Sequence, residues 1–289
     1  MKIDLCLIMS AGHGSRMGEV GRVLPKPLWP LGRKALIERQ YDLATSVNLY
    51  DIYVNTHHGS ESINDYVGRN NLSIKILHEE ELLDVGGTVQ KLVNLGLQGN
   101  CLILNCDQVM TSGQSILKKV LNSHHKNNIA TLGAIELLEN EKYNRFDLRN
   151  GDVVCISSFG SHREDQRFTY AGIGVINLSL IQKTFVNKKA NLFDLIFRNK
   201  KERRIELSPI ERGAFFDVGT KENFVKFCFE SLSDRKLDWL DLGNCYKNDF
   251  FNFSDTVWSA APKGSVILGG EQQKLTHRCL YYNGVIDRY

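Results

Sequence analysis

Charge of one sign is scarce in this sequence: 36 lysines and arginines are matched by 33 aspartates and glutamates, a net charge of +3 over 289 residues. Proteins that hold nucleic acid or an anionic membrane surface concentrate positive charge, so the composition predicts neither partner. The one basic cluster, Lys200-Lys201-Glu202-Arg203-Arg204, reads as a solvated loop or helix end. Long apolar runs are missing too, with nothing near the roughly 18 residues of a membrane span. The N-terminus lacks the apolar stretch and small-residue cleavage site of a signal peptide, because Met1-Lys2-Ile3-Asp4 leads straight into a strand pattern. The 7 cysteines are scattered and form no C-x-x-C pair, which predicts neither a disulfide framework nor a zinc site. Cys6, Cys101 and Cys155 lie in apolar strand-like runs, where cysteine packs as a small hydrophobe. The expectation is a reduced, cytoplasmic protein.

What is present begins at Leu5. The apolar run Leu5-Cys6-Leu7-Ile8-Met9 passes into a small, glycine-rich turn, Ser10-Ala11-Gly12-His13-Gly14-Ser15, followed by Arg16 and then by Pro25-Lys26-Pro27-Leu28. Glycines let backbone N–H groups approach phosphate oxygens closely. Arg16 and Lys26 supply positive charge, and prolines on both sides of Lys26 fix its backbone. The competing pattern is the dinucleotide-binding fingerprint G-x-G-x-x-G, with an acidic residue about 20 positions later. Gly12 and Gly14 fit it, but Met17 stands where the third glycine belongs and Gly18 comes one residue late. A nicotinamide-dependent oxidoreductase is therefore disfavoured.

Beyond the turn, apolar runs of strand length alternate with helical patterns. Strands are predicted at Ile3–Met9, Asp51–Asn55, Ser73–Leu77, Cys101–Asn105 and Ile129–Ile135, and helices at Ala35–Val47, Ser60–Val67, Gly87–Leu97 and Gly113–His124. That alternation predicts an α/β fold with a mostly parallel sheet flanked by helices, whose ligands bind beyond the carboxyl ends of the strands. Shorter strands follow at Phe146–Leu148, Val153–Ile156, Gly172–Ile176 and Ala214–Val218, with helices at Leu192–Arg198 and Lys221–Ser231. The chain divides into a nucleotide half (about 1–135), a lobe laid over the sheet edge (about 136–234) and a β-rich extension (235–289). In the extension the apolar pairs Val257-Trp258, Val266-Ile267-Leu268, Cys279-Leu280 and Val285-Ile286 recur irregularly. Two readings stay open for them, partial coils of a left-handed β-helix and a β-hairpin cap. This segment is also the candidate surface for a homo-oligomer.

AGHGSRM followed by PKPL resembles the sugar-1-phosphate nucleotidyltransferases (NDP-sugar pyrophosphorylases), most of all the short N-acetylmuramate-1-phosphate uridylyltransferases and the heptose- or mannose-1-phosphate guanylyltransferases. The likeness runs to about residue 230. It implies a Rossmann-like GT-A fold and transfer of a nucleotidyl group from an NTP to a sugar 1-phosphate, with Mg²⁺ as cofactor. Ser10, Ala11, Gly12, Gly14 and Ser15 would then cradle the nucleotide, Arg16 would engage the departing pyrophosphate, and Lys26 would contact the substrate phosphates. Asn105-Cys106-Asp107 resembles the family's Asn-Gly-Asp metal motif, with a cysteine in place of the glycine, and Asp217-Val218-Gly219-Thr220 resembles its D-V-G-T. Asp107 and Asp217 are thus the implied metal ligands; read alone, Asp107 is equally an Asx turn, and the alternative for Asp217 is a helix cap, for which Thr220 is the better candidate.

Two further motifs follow the same family. Glu79, with Gly86-Gly87 after Leu83-Asp84-Val85, resembles the loop that lies under the base. Phe168-Thr169-Tyr170-Ala171-Gly172-Ile173 resembles the strand lining the sugar pocket, which makes Asn105, Tyr170 and Gly172 sugar-binding candidates. The Glu-Lys-Pro that many relatives carry before this strand is missing; Arg145 takes its place among the candidates, with Arg149 as the alternative. His57-His58-Gly59 reads as a polar strand end, since adjacent strand residues face opposite ways. UTP is favoured as donor, GTP next. A CTP-dependent enzyme acting on a phosphorylated alcohol and a non-catalytic nucleotide-sugar sensor are the alternatives.

Overall fold

The computed structural model describes residues 2–12, 14–138, 141–158, 166–184, 186–229, 246–247, 250–252, 265–269, 279–282 and 285–288. Its centre is a nine-stranded sheet in the order Lys75–His78, Ile52–Thr56, Leu5–Met9, Asn100–Asn105, Phe168–Asn177, Asn128–Glu136, Arg204–Ile210, Asp152–Ser157 and Arg145–Arg149. The first four strands are parallel neighbours. Phe168–Asn177 runs antiparallel between Asn100–Asn105 and Asn128–Glu136. Arg204–Ile210 is parallel to Asn128–Glu136, and a terminal hairpin of two antiparallel strands completes the edge. The sheet is mixed, and most of its strands point one way.

Alternation along the central strands sorts side chains into two cores, as the pleat requires. Cys6 and Ile8, with Leu102 and Leu104, pack beneath the helices Leu36–Thr45, Ser60–Arg69, Gly113–Asn122 and Lys221–Phe227. Leu5 and Leu7, with Cys101 and Ile103, pack on the other face against Asp84–Asn94 and Leu192–Lys200. The predicted helices and strands of the nucleotide half are all present, with ends moved by one to three residues.

Three differences from the sequence reading matter for the site. The stretch after residue 136 does not cover the sheet's edge; its strands extend the same sheet. Arg204–Ile210 is a strand inside that sheet, which the sequence did not mark; the basic cluster before it is a helix end and an exposed turn, as expected, and Pro209 falls beyond Asp152↔Glu206, the only pair among the described residues with the neighbour on that side. Proline is tolerated there because no ladder bond is required of its nitrogen. A short helix, Gly18–Val23, follows the glycine turn, and a ribbon pairs Gln108–Met110 with Phe215–Asp217.

The C-terminal strands form a separate sheet. Phe250–Asn252, Val266–Gly269 and Cys279–Tyr282 are parallel in succession, and Val285–Arg288 turns back antiparallel. Parallel pairing thus joins successive strands, and an antiparallel return closes the sheet. Val257-Trp258 and the predicted helix end at Glu230 and Ser231 lie outside the described residues. Among the described residues no helix is long and apolar enough to cross a membrane.

Candidate active site

The carboxyl ends of the parallel strands, Met9, Thr56, His78 and Asn105, deliver four loops to one edge of the sheet. The first is the glycine turn. Gly14 adopts φ 63° and opens a short 3-10 turn, Ser15–Met17, which carries Arg16 exposed. A Cβ on Gly12 would meet nothing within 4 Å, so the loop has open space beside it. Its backbone is held from behind: the buried Asn55 Oδ1 accepts from Ser10 N at 2.7 Å and Ala11 N at 3.3 Å. Lys26 sits in the turn Lys26–Leu28, between Pro25, against which Gly59 packs closely, and Trp29, which is fully buried and stacks edge-on with Phe224 at 5.0 Å.

Asp107 follows Asn105 at the end of its strand, and Asp217 ends the ribbon opposite Gln108. Val218 N donates to Asp107 O at 3.0 Å, which draws the two segments together. Asp107 Oδ2 pairs with Lys26 Nζ, both side chains largely buried. Asp217 Oδ1 accepts from Gly219 N at 2.8 Å, and its Oδ2 accepts from the Tyr143 hydroxyl at 3.2 Å. Burial and the Asp217 carboxylate push the Tyr143 phenol up to about 12, against the opposing charge of Arg16. The carboxylates converge on Gly219, whose absent side chain makes the room: a Cβ there would stand 2.7 Å from Asp107 Oδ2 and 2.8 Å from Asp217 Oδ1. Two carboxylates meeting at one point suit Mg²⁺, which takes one or two protein carboxylates and completes its shell with phosphate and water.

The sugar-side candidates divide. Gly172 lies in a bulge of its strand with φ 70°, and a Cβ on it would reach to 2.5 Å of Gln108 Cγ and 3.0 Å of Asn105 Cβ. Asn105 Oδ1 and Gln108 Oε1 are buried there with no hydrogen-bond partner among the described residues, and buried polar atoms without a protein partner are free to meet water or a ligand. The Tyr170 hydroxyl is likewise buried and unpartnered, its ring edge-on to Phe193 at 5.8 Å, and burial raises its pKa. Arg145 is turned inward, donating to the carbonyls of Gln166 and Leu138 at 3.0 Å each. Arg149 is exposed.

The residues expected under the base support the site from behind. Glu79 is 1% exposed; its Oε1 accepts from Asn55 at 2.9 Å and from Thr88 at 2.6 Å, and its Oε2 from Leu83 N at 3.1 Å. Gly86 and Gly87 are pressed against the chain's own backbone: a Cβ would stand 2.3 Å from Asn191 O and 2.5 Å from Lys188 O, and Gly87 N donates to Ala190 O at 3.1 Å. His57 Nδ1 bonds Glu79 O at 2.9 Å, in keeping with a polar strand end. Sequence reasoning did not single out Asn55, Tyr143 or Gln108. Asn55 carries one signal, a polar residue at the carboxyl end of an apolar strand.

Comparison with known proteins agrees with this geometry. Residues 6–134 match the MobA-like NTP transferase domain. The chain is 24% identical over 225 residues to D-glycero-alpha-D-manno-heptose 1-phosphate guanylyltransferase of Aneurinibacillus thermoaerophilus, covering 76% of this chain and 95% of that one. It is 26% identical to glucose-1-phosphate adenylyltransferase of Clostridium botulinum, covering 94% of this chain and 75% of the relative. The structure of HddC from Yersinia pseudotuberculosis complexed with GMP-PN superposes with a TM-score of 0.61 at 19% identity, covering 78% of this chain and 98% of that one. The glycine loop, the two converging aspartates and these matches liken the chain to the sugar-1-phosphate nucleotidyltransferases, with the matched NTP transferase domain spanning residues 6–134.

Proposed function

We propose that this protein transfers a nucleotidyl group from an NTP to a sugar 1-phosphate, releasing pyrophosphate, and that residues 1–234 carry the reaction. The observation that carries the reading is the meeting of Asp107, Asp217 and Lys26 at the mouth of the glycine loop. The reaction brings together two anions that repel each other, so the protein's task is positioning and charge neutralisation. Backbone groups of Ser10, Ala11, Gly12, Gly14 and Ser15 hold the triphosphate, and Arg16 stabilises the departing pyrophosphate. Lys26 orients the attacking phosphate. Asp107 and Asp217 would hold a Mg²⁺, which supplies positive charge to the phosphate oxygens. Asn105, Gln108 and the backbone at Gly172 face the acceptor, whereas Arg145 supports the lobe's interior. Glu79, Gly86 and Gly87 set the position of the base pocket's floor.

GTP is put ahead of UTP as donor, reversing the order suggested by the sequence, because the guanylyltransferase matches along nearly its whole length. Screening four NTPs against a panel of sugar 1-phosphates for pyrophosphate release tests the proposal. Release that requires both substrates, fastest with GTP, is expected. No release with any pair contradicts the function, and release fastest with UTP contradicts the choice of base.

A further inference from the structure

We infer that Asp287, in the C-terminal extension, is a positioning residue that locks the phosphate loop to the second carboxylate segment; its catalytic meaning rests on the function proposed above. Asp287 lies on the strand Val285–Arg288, opposite Leu280, and is only 9% exposed. Its Oδ2 accepts from Glu19 N at 2.8 Å, and its Oδ1 accepts from Lys221 Nζ at 2.6 Å. Glu19 stands three residues after Arg16, and Lys221 four after Asp217. One carboxylate thus joins two halves of the site that lie some 200 residues apart in sequence.

The surroundings are built for this contact. Gly18 has φ 69°, and a Cβ on it would stand 1.8 Å from Asp287 Oδ2, so the off-register glycine of the N-terminal turn is required both by its backbone and by the approaching carboxylate. The helix Gly18–Val23 is in turn wedged against the loop: Gly21 leaves only 2.3 Å between a built Cβ and Met17 Cβ, and 3.0 Å to Gly14 O. Movement of Glu19 is therefore passed to the turn that carries Arg16. On the other side, Lys221 opens the helix capped by Thr220, directly after Gly219. Val266, Leu268 and Leu280 of the extension share a core with Met17, Val20 and Phe224, which seats the extension on these two helices.

The test compares the full chain with Asp287→Ala and with Asp287→Asn, which keeps an acceptor for Glu19 N and the side chain's size. Hydrogen exchange is followed at residues 15–23, together with KM for the NTP, KM for the sugar phosphate, and kcat. Asp287→Ala is expected to speed exchange at residues 15–23 and raise the NTP KM about 10- to 100-fold, the range of one charge-assisted hydrogen bond. The sugar-phosphate KM should stay within about twofold, and Asp287→Asn should fall between. Unchanged exchange at residues 15–23 overturns the inference, as does faster exchange with an unchanged NTP KM, or an equal loss in every kinetic constant. If the unaltered chain releases no pyrophosphate, nucleotidyl transfer fails, while the exchange measurement still decides whether Asp287 holds the loop.

Discussion

Asp107 and Asp217 approach each other across Gly219, with Asp107 Oδ2 and Asp217 Oδ1 placed 2.7 Å and 2.8 Å from where a Cβ at that position would stand. Gly219 does not need a positive φ, so alanine there is not strained by its backbone, and the methyl group's only conflict is with the two carboxylates. Gly219→Ala should therefore fold and unfold like the unaltered chain yet lose about 10²-fold in kcat/KM, the cost of displacing a reacting group by about 1 Å. A thermal midpoint and a rate measurement on one preparation check this; a variant of undiminished activity would remove Gly219 from the account.

Glu79 separates two meanings of a motif residue. If it touches the base, Glu79→Ala should raise the NTP KM and leave stability alone. The structure instead gives its carboxylate three protein donors, from Asn55, Thr88 and Leu83. Alanine would leave Leu83 N without its acceptor, at about 1–3 kcal/mol, while Thr88 keeps Asp84 O at 3.0 Å and Asn55 keeps Thr88 Oγ1 at 3.2 Å. The expected result is a fall of about 1–3 kcal/mol in unfolding free energy, measured in urea, with activity lowered through the glycine loop that Asn55 holds.

The contrast shows what could be read from the sequence. The glycine turn, Lys26, Asp107 and Asp217 were legible because each lies in a short contiguous motif whose neighbours state its environment. The two-sided core was legible because Leu5 to Met9 and Cys101 to Leu104 are apolar on both faces of their strands. Glu79, Gly86 and Gly87 were visible as a motif, but their direction was not: the segment 188–191 that covers the glycines is about 100 residues away. Arg145 failed similarly, since its acceptors on Leu138 and Gln166 belong to no local pattern. Gln40 reaches across 68 residues to Gln108 O, fastening the ribbon that carries Asp217, with nothing in its own neighbourhood to announce it.

His124 offers a pH test remote from the site. It is 2% exposed, and burial holds its pKa down at about 4. Asn100 Oδ1 can only accept, so the neutral ring donates from Nε2 at 3.2 Å and accepts at Nδ1 from the Thr131 hydroxyl at 2.8 Å. The unfolded chain protonates His124 near pH 6.5, whereas the folded chain resists until about pH 4. Its contribution is thus intact above pH 6.5 and is lost as pH falls through this window, by on the order of 2–3 kcal/mol. Unfolding free energy should fall less steeply between pH 6.5 and pH 4 in His124→Gln than in the unaltered chain. Parallel curves would show that the histidine is not held neutral.

The most direct measurement is the initial rate of pyrophosphate release from GTP and a sugar 1-phosphate as Mg²⁺ is varied, for the unaltered chain and for Asp217→Asn. A saturable rise with Mg²⁺ that a chelator abolishes is expected, with a rate about 10²-fold lower in the variant at every Mg²⁺ concentration. Release that persists in chelator, or an Asp217→Asn rate equal to that of the unaltered chain, would contradict this expectation.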